Sequence, residues 1–152
     1  KIENGQAFSI SKRFEGVASD ASVEIYFENP NNSGKTIYLY VIEICTLVQA
    51  YVDIYRNNTV SVSGTKLDPI NLNHSSNNSS VANVEYGGTY SLGTLTLNTV
   101  CPGGSNPARA IGGIVEVGEF VVIPPNFNFV VKVTNKGTSS TDLSIRIVWW
   151  EE

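Results

Sequence analysis

Residues 21–58 constrain the fold more than any other part of the sequence. Val23, Ile25 and Phe27 alternate with polar residues, which is typical of a half-buried strand. Six turn-forming residues follow, then a segment at 36–46 that is almost entirely apolar, β-branched or aromatic, and then a second alternation at 49–56. We expect three consecutive strands. The middle strand has no solvent-facing pattern, so it should lie centrally in a sheet or be covered on both sides.

The rest of the chain continues in the same way, because turn-forming clusters separate short apolar or alternating segments and no window has a helical period. Further strands are predicted at 7–17, 81–86, 90–100, 111–117, 119–123, 127–133 and 141–150. The pattern predicts an all-β fold, best described as a single jelly-roll-like antiparallel β-sandwich of about eight strands. This domain should span residues 7–152, with residues 1–6 as a flexible N-terminal arm. An immunoglobulin-like sandwich is the alternative, although its Cys…Trp…Cys spacing is absent.

Two stretches between the predicted strands are rich in turn-forming residues. Residues 57–80 are rich in Asn and Ser and should cross the surface as a long loop, and long loops in compact domains are usually functional. A second loop is predicted at 101–109, where Pro and Gly are frequent.

Charge and residue usage argue against several classes of function. The formal net charge is −4, so no basic surface is expected to hold nucleic acid. The longest apolar stretch, Ile37 to Ile44, has the length of a strand, so no transmembrane helix or membrane partner is expected. The single histidine, His74, has no evident partner for nucleophilic catalysis. We therefore predict no enzymatic activity, no catalytic residues, no cofactor and no metal site.

Aromatic residues are the strongest candidates for an interaction surface. Four tyrosines fall on two strands that the sequence predicts to be adjacent: Tyr38, Tyr40, Tyr51 and Tyr55. Such side chains suit a subunit interface or a carbohydrate platform, and cross-strand pairs within the sheet are an equally open alternative. Trp149 and Trp150 must point to opposite faces of a regular strand, so the outward one is a candidate interface anchor.

Two kinds of modification can also be read from the sequence. Cys45 and Cys101 allow one disulfide, which would pin a loop to the sheet, or they remain free thiols; both alternatives stay open. The motif N-x-S/T places candidate glycosylation sites in predicted loops, at Asn31, Asn57, Asn73, Asn77 and Asn78.

Several segments together resemble small all-β structural proteins of virions. They are FENPNNSGKTIYLYVIEI, VDIYRNNTVSVSGTKLDPINLN with the Ser/Asn tract after it, VIPPNFNFVVKVTNKG, and the closing LSIRIVWWEE. Proteins of this kind occur as head-decoration, turret, fibre or tail-associated domains of double-stranded DNA viruses of bacteria and archaea. The resemblance implies a jelly-roll-like sandwich on the virion surface, with neither enzymatic activity nor a cofactor. It also implies homo-oligomers, commonly trimers or pentamers, in contact with capsid or other virion proteins.

We therefore expect a capsid-decorating or turret-type protein that oligomerises on the particle surface. The alternative is a receptor- or carbohydrate-binding module at a fibre or tail tip. In that case the partner would be a host-surface glycan, and the loops at 57–80 and 101–109 would form the site.

Overall fold

The computed structural model describes residues 1–103, the backbone of 113–117, and residues 121–152. This part of the chain contains strands and turns and no helix. The strands are Ala7–Val17 (β1), Ser22–Asn29 (β2), Ile37–Thr46 (β3), Ala50–Arg56 (β4), Thr59–Val62 (β5), Thr65–Lys66 (β6), Ile70–Asn71 (β7), Asn83–Tyr86 (β8), Thr89–Ser91 (β9), Thr94–Cys101 (β10), Gly113–Val117 (β11), Val121–Ile123 (β12), Phe127–Asn135 (β13) and Thr141–Glu151 (β14). The predicted loop at 101–109 lies outside the described residues from residue 104 onward, as do residues 111, 112, 119 and 120 of the predicted strands.

The strands form two antiparallel sheets that pack face to face, so the predicted all-β sandwich is confirmed. Sheet A has the order β11-β3-β14-β1-β7, with β12 also pairing with β3. Sheet B has the order β10-β4-β13-β2-β8-β6, and β5 with β9 forms a separate two-stranded ribbon. The predicted count of about eight strands is not confirmed, because the described chain has fourteen. Of these, eight have five residues or more, namely β1 to β4, β10, β11, β13 and β14. The others are short additions, most of them inside the predicted 57–80 loop or just after it.

The core forms where the inward rows of the two sheets meet. Phe27 of sheet B stacks on Phe129 with ring centroids 4.9 Å apart, and it meets Trp149 of sheet A edge-on at 5.0 Å. Trp149 also packs near Phe8. Fully burying one such side chain contributes about 1.5–3 kcal/mol, so this aromatic cluster is a major part of the folding free energy. Strand β3 lies between β11 or β12 on one side and β14 on the other, as expected for a central strand.

A buried carboxylate holds the end of β14 in place. Glu151 is fully buried, and its carboxylate accepts hydrogen bonds from the Ser80 hydroxyl at 2.5 Å and the Trp149 indole Nε1 at 3.1 Å. It also accepts from the backbone N–H of Val81 at 3.0 Å and from Lys35 Nζ at 3.2 Å. These contacts attach the end of the Asn- and Ser-rich segment and the β2–β3 turn to the last strand. Sequence patterning does not single out this residue, because glutamate side chains usually lie in solvent.

The N-terminal segment, residues 1–6, forms turns against the Asn-rich segment. Gly5 is buried, and its carbonyl oxygen accepts hydrogen bonds from the side-chain amides of Asn71 and Asn78. Lys1 forms an ion pair with Glu152. The segment therefore closes one end of sheet A, and its flexibility stays a prediction.

Candidate interaction surface

Three aromatic side chains form a cluster on the outer face of sheet A, here called the aromatic patch: Tyr38, Tyr40 and Trp150. Tyr38 and Trp150 are cross-strand partners on β3 and β14, and their rings stack with centroids 5.4 Å apart and planes 9° apart. The Tyr40 ring lies 6.4 Å from that of Trp150 and is tilted by 52°. Tyr40 is 58% exposed, while the other two rings are half-buried. The patch therefore presents two rings held against each other and one that projects into solvent.

A β-bulge explains why Tyr40 projects. Val148 of β14 pairs with Val41, whereas the next residue, Trp149, pairs with Leu39. Tyr40 is therefore the extra residue on β3 and has no direct partner on β14. Bulges of this kind re-aim a side chain and are common at sites that bind. Here the bulge allows Leu39 to stay in the core while Tyr40 and Val41 both face outward.

A depression of about 630 Å³ lies beside the patch. Tyr40 and Trp150 form part of its wall, and the N-terminal residues Lys1, Ile2 and Glu3 close one side. Ile2 is 53% exposed and adds apolar surface. On the other side, Arg146 and Glu43 form an ion pair.

The distance from Arg146 Nη1 to Glu43 Oε2 in that pair is 2.7 Å. Both side chains are partly exposed, so the pair contributes little to stability, on the order of 0–1 kcal/mol. Together with the Lys1–Glu152 pair, it gives the depression a rim that carries both signs of charge. An aromatic centre with a polar rim is the usual anatomy of a protein interface.

Tyr51 and Tyr55 do not join this patch, so the predicted cluster of four tyrosines on adjacent strands is wrong. Both lie on β4, which belongs to sheet B, and they face the opposite side of the sandwich from the patch. The chain crosses from one sheet to the other between β3 and β4. Tyr51 is 46% exposed, with Lys136 Nζ 5.5 Å from its ring centroid.

The two tryptophans point to opposite faces, as the alternation predicts. Trp149 is fully buried in the core, so it is not available as an interface anchor, and Trp150 is the outward residue. The assignment follows from the register of β14, whose inward row includes Ile145 and Ile147.

A second aromatic cluster, which the sequence reading missed, lies on the outer face of sheet B. The β5–β9 ribbon folds over this face, so that Tyr90 stacks on Tyr26 with centroids 5.4 Å apart and buries Val130 beneath them. Burial, reinforced by the carboxylates of Glu28 and Glu85, raises the pKa of Tyr26 to about 12. Both tyrosine rings are almost fully buried, so their faces are unavailable to a sugar ring.

A polar depression of about 500 Å³ lies under this ribbon, and Asn58 and Asn128 line part of it. Asn58 Nδ2 and its backbone N–H both donate to Asn128 Oδ1, and Asn58 Oδ1 accepts from Gly93 N–H. These side chains therefore hold the ribbon to sheet B. In the sequence, this arrangement was indicated only by the apolar character of Tyr90, which belongs to the second aromatic cluster, and of Leu92, which packs against that cluster.

Neither cysteine forms a disulfide in the structure. Cys45 is exposed, whereas Cys101 is fully buried, and burial raises the pKa of the Cys101 thiol. Of the two alternatives that the sequence left open, the structure has the free thiols.

The five candidate glycosylation sites differ in their surroundings. Asn31, Asn57, Asn77 and Asn78 are exposed, and Asn73 is partly buried. Asn73 donates its Nδ2 to the Glu3 carbonyl oxygen, and Asn78 donates its Nδ2 to the Gly5 carbonyl oxygen. A glycan would be attached through that same nitrogen, so Asn31, Asn57 and Asn77 are the more accessible sites.

His74 is exposed in the Asn-rich segment. Within residues 1–103 and 121–152, no three His, Cys, Asp or Glu side chains lie together as metal ligands would. The described chain also has no helix of the length and apolarity needed to cross a membrane.

Comparison with protein-family models and with curated proteins finds no match.

Proposed function

We propose that this chain is a non-enzymatic structural protein of a virion surface, a jelly roll that homo-oligomerises there and decorates a capsid or builds a turret. The observation that carries the proposal is the aromatic patch with its charged rim on the outer face of sheet A.

The strand order supports the jelly-roll part of the proposal. The long strands pair in a nested way: β1 with β14, β2 with β13, β3 with β11, and β4 with β10. A jelly roll has this nesting, because it is a long antiparallel hairpin that is wrapped so that its strands alternate between two sheets. Viral capsid domains are among the proteins that use the fold, and so are lectins. The resemblance to virion proteins and the strand order therefore favour the same architecture.

The patch is suited to bind because its rings are already fixed. Trp and Tyr are enriched among the residues that dominate binding energy at interfaces. The stacking of Tyr38 on Trp150 and the bulge at Tyr40 hold the rings in place. Little side-chain entropy is then lost when a partner covers them.

A second copy of the chain is the occupant that the rim favours. The rim carries two ion pairs, Arg146–Glu43 and Lys1–Glu152, so each side of the depression has both signs. Two copies of a patch that was strongly acidic or strongly basic would repel each other. Because the rim carries both signs of charge, two copies can meet without this repulsion. Closed rings of copies are the usual form of oligomers.

Sedimentation velocity of the wild type and of Trp150→Ala and Tyr40→Ala tests the proposal. Val62→Ala is the control, because Val62 is 61% exposed on the β5 ribbon, away from the patch. We expect a wild-type oligomer that the control preserves. Each patch variant should weaken association at least about 30-fold, the size of an interface hot spot of 2 kcal/mol. Patch variants that fold normally by circular dichroism and associate as tightly as the control would contradict the proposal.

A receptor- or carbohydrate-binding module is the second candidate, and one observation favours it. Exposed Tyr40 and half-buried Trp150 border a depression that also contains Arg146 and Glu43. Sugar sites combine a ring for stacking with charged hydrogen-bonding groups in this manner. A glycan array probed with the wild type and with Tyr40→Ala tests this candidate. Specific hits lost in the variant would support it, and the absence of any hit would count against it.

A further inference from the structure

Strand β10 has a long edge that is chemically unlike the β1 edge of sheet A and the β6 edge of sheet B. It runs from Thr94 to Cys101 and pairs with β4 on one side, and no other described strand pairs with its second side. It contains no charged residue, no Pro and no Gly, and no residue from 86 to 103 is charged. Leu95 and Val100 are 45% and 48% exposed.

Other edges in the described chain carry the devices that prevent edge pairing. Strand β1 pairs with β7 only at Phe8 and Ser9, and its remaining edge carries Lys12, Arg13 and Glu15 and ends in a bulge. The opposite edge of sheet B is β6, which has two residues and includes Lys66. Charges, bulges and short strands are the usual protection against edge-to-edge association. Strand β10 also has a bulge, between Leu95 and Leu97, but the bulge lies near its start, and among these edges β10 is the one with eight consecutive uncharged residues.

The surroundings of β10 are also apolar on the inner side. A cleft of about 470 Å³ opens between the two sheets next to this edge, and Thr96 and Leu97 of β10 contribute to its lining together with core residues such as Ile42 and Phe129. A partner that covers the exposed apolar side chains of an edge strand and the apolar cleft beside it buries apolar surface. This burial stabilises the complex.

We infer that the edge of β10 that no described strand covers pairs antiparallel with β10 of a second copy of the chain, so that sheet B continues across a two-fold axis. This contact is distinct from the aromatic patch and does not depend on the proposed virion function. A two-fold axis places each residue opposite an identical set, so a self-pairing edge must lack like charges, and β10 meets that condition. A register centred on Asn98 places Leu97 of each copy, which follows the bulge, opposite Thr99 of the other. The backbone N–H and C=O groups along this edge, which pair with no described strand, then form a second antiparallel ladder.

Asn98→Lys tests the inference with little risk to the fold. Asn98 is exposed and is the cross-strand partner of Asp53, so the new lysine gains an opposite charge within its own chain. In the paired form, the two lysines of the two copies face each other at the axis. The matched control is Thr65→Lys, which adds the same charge at an exposed position on the opposite edge of the same sheet.

Amide hydrogen exchange, followed residue by residue at about 1 µM and about 100 µM protein, reads out the pairing directly. Alternate amides of residues 94–101 should be more protected at the higher concentration in the wild type, in Thr65→Lys and in Trp150→Ala. In Asn98→Lys the concentration needed for that protection should rise at least about tenfold. Concentration-independent exchange along β10 would overturn the inference, whatever the aromatic patch does. Equal protection in Asn98→Lys and Thr65→Lys would overturn it as well.

Discussion

Replacing Glu151 by alanine should destabilise the protein severely, although the residue is next to the last in the sequence. Its carboxylate is fully buried and accepts from Ser80 Oγ, Val81 N and Trp149 Nε1, and it is within 3.2 Å of Lys35 Nζ. Without it, the backbone N–H of Val81 and the indole N–H of Trp149 lose their acceptor, at about 1–3 kcal/mol each. The combined loss in the free energy of unfolding should be about 3–5 kcal/mol, the range seen when one member of a buried ion pair is removed.

The assay is urea-induced unfolding at one fixed protein concentration, followed by tryptophan fluorescence, since Trp149 reports on the region directly. Glu152→Ala is the matched control. Its ion pair with Lys1 joins side chains that are about 40% exposed, so its loss should cost at most about 1 kcal/mol. Glu151→Gln should lie between the two, because the amide keeps one acceptor oxygen but meets Lys35 or Val81 with an N–H group. If Glu151→Ala unfolds within about 1 kcal/mol of Glu152→Ala, the carboxylate does not hold the end of β14 as argued.

Three further predictions concern other parts of the fold. Burial raises the pKa values of Tyr26 and Tyr90 to about 12 from the ordinary 10.0, so the folded state retains protons that the unfolded state loses. These two groups should therefore leave the free energy of unfolding unchanged below pH 10 and lower it between about pH 10 and 12. In urea unfolding, Tyr90→Phe should show a smaller decrease over that pH range. A thiol reagent should modify the exposed Cys45 in the native protein and the buried Cys101 only on unfolding; equal rates would contradict the assignment. Gly93→Ala should lower the free energy of unfolding by more than about 2 kcal/mol, because its Cβ would lie 2.2 Å from the Arg56 carbonyl oxygen.

Most strands could be predicted from the sequence, because side chains that face the core are apolar and those that face solvent are polar. This alternation is visible in the sequence. Residues 36–46 were expected to be a central strand, and β3 has that position. The alternation at the C-terminus required Trp149 and Trp150 to face opposite ways, and they do. The predicted strand at 90–100 is instead β9 and β10, separated at Leu92 and Gly93. The Gly93 N–H bonds to Asn58 there, which alternation does not reveal.

The candidate site could be predicted only in part, because alternation does not say which sheet a strand joins. Tyr38 and Tyr51 lie on consecutive strands but on opposite outer faces, since β3 and β4 belong to different sheets. The bulge that makes Tyr40 project depends on the register between β3 and β14. That register is a long-range property. Glu151 was missed for a similar reason, because all its donors except Trp149 come from residues about 70 and 116 positions away.

Sedimentation velocity of the wild-type chain over a range of concentrations tests self-association through the aromatic patch directly. We expect an assembly built from trimers or pentamers of the 16.5 kDa chain, and Trp150→Ala should leave no species larger than the dimer paired through β10. A wild-type protein that remains a 16.5 kDa monomer up to about 100 µM, where even weak interfaces are populated, would contradict it.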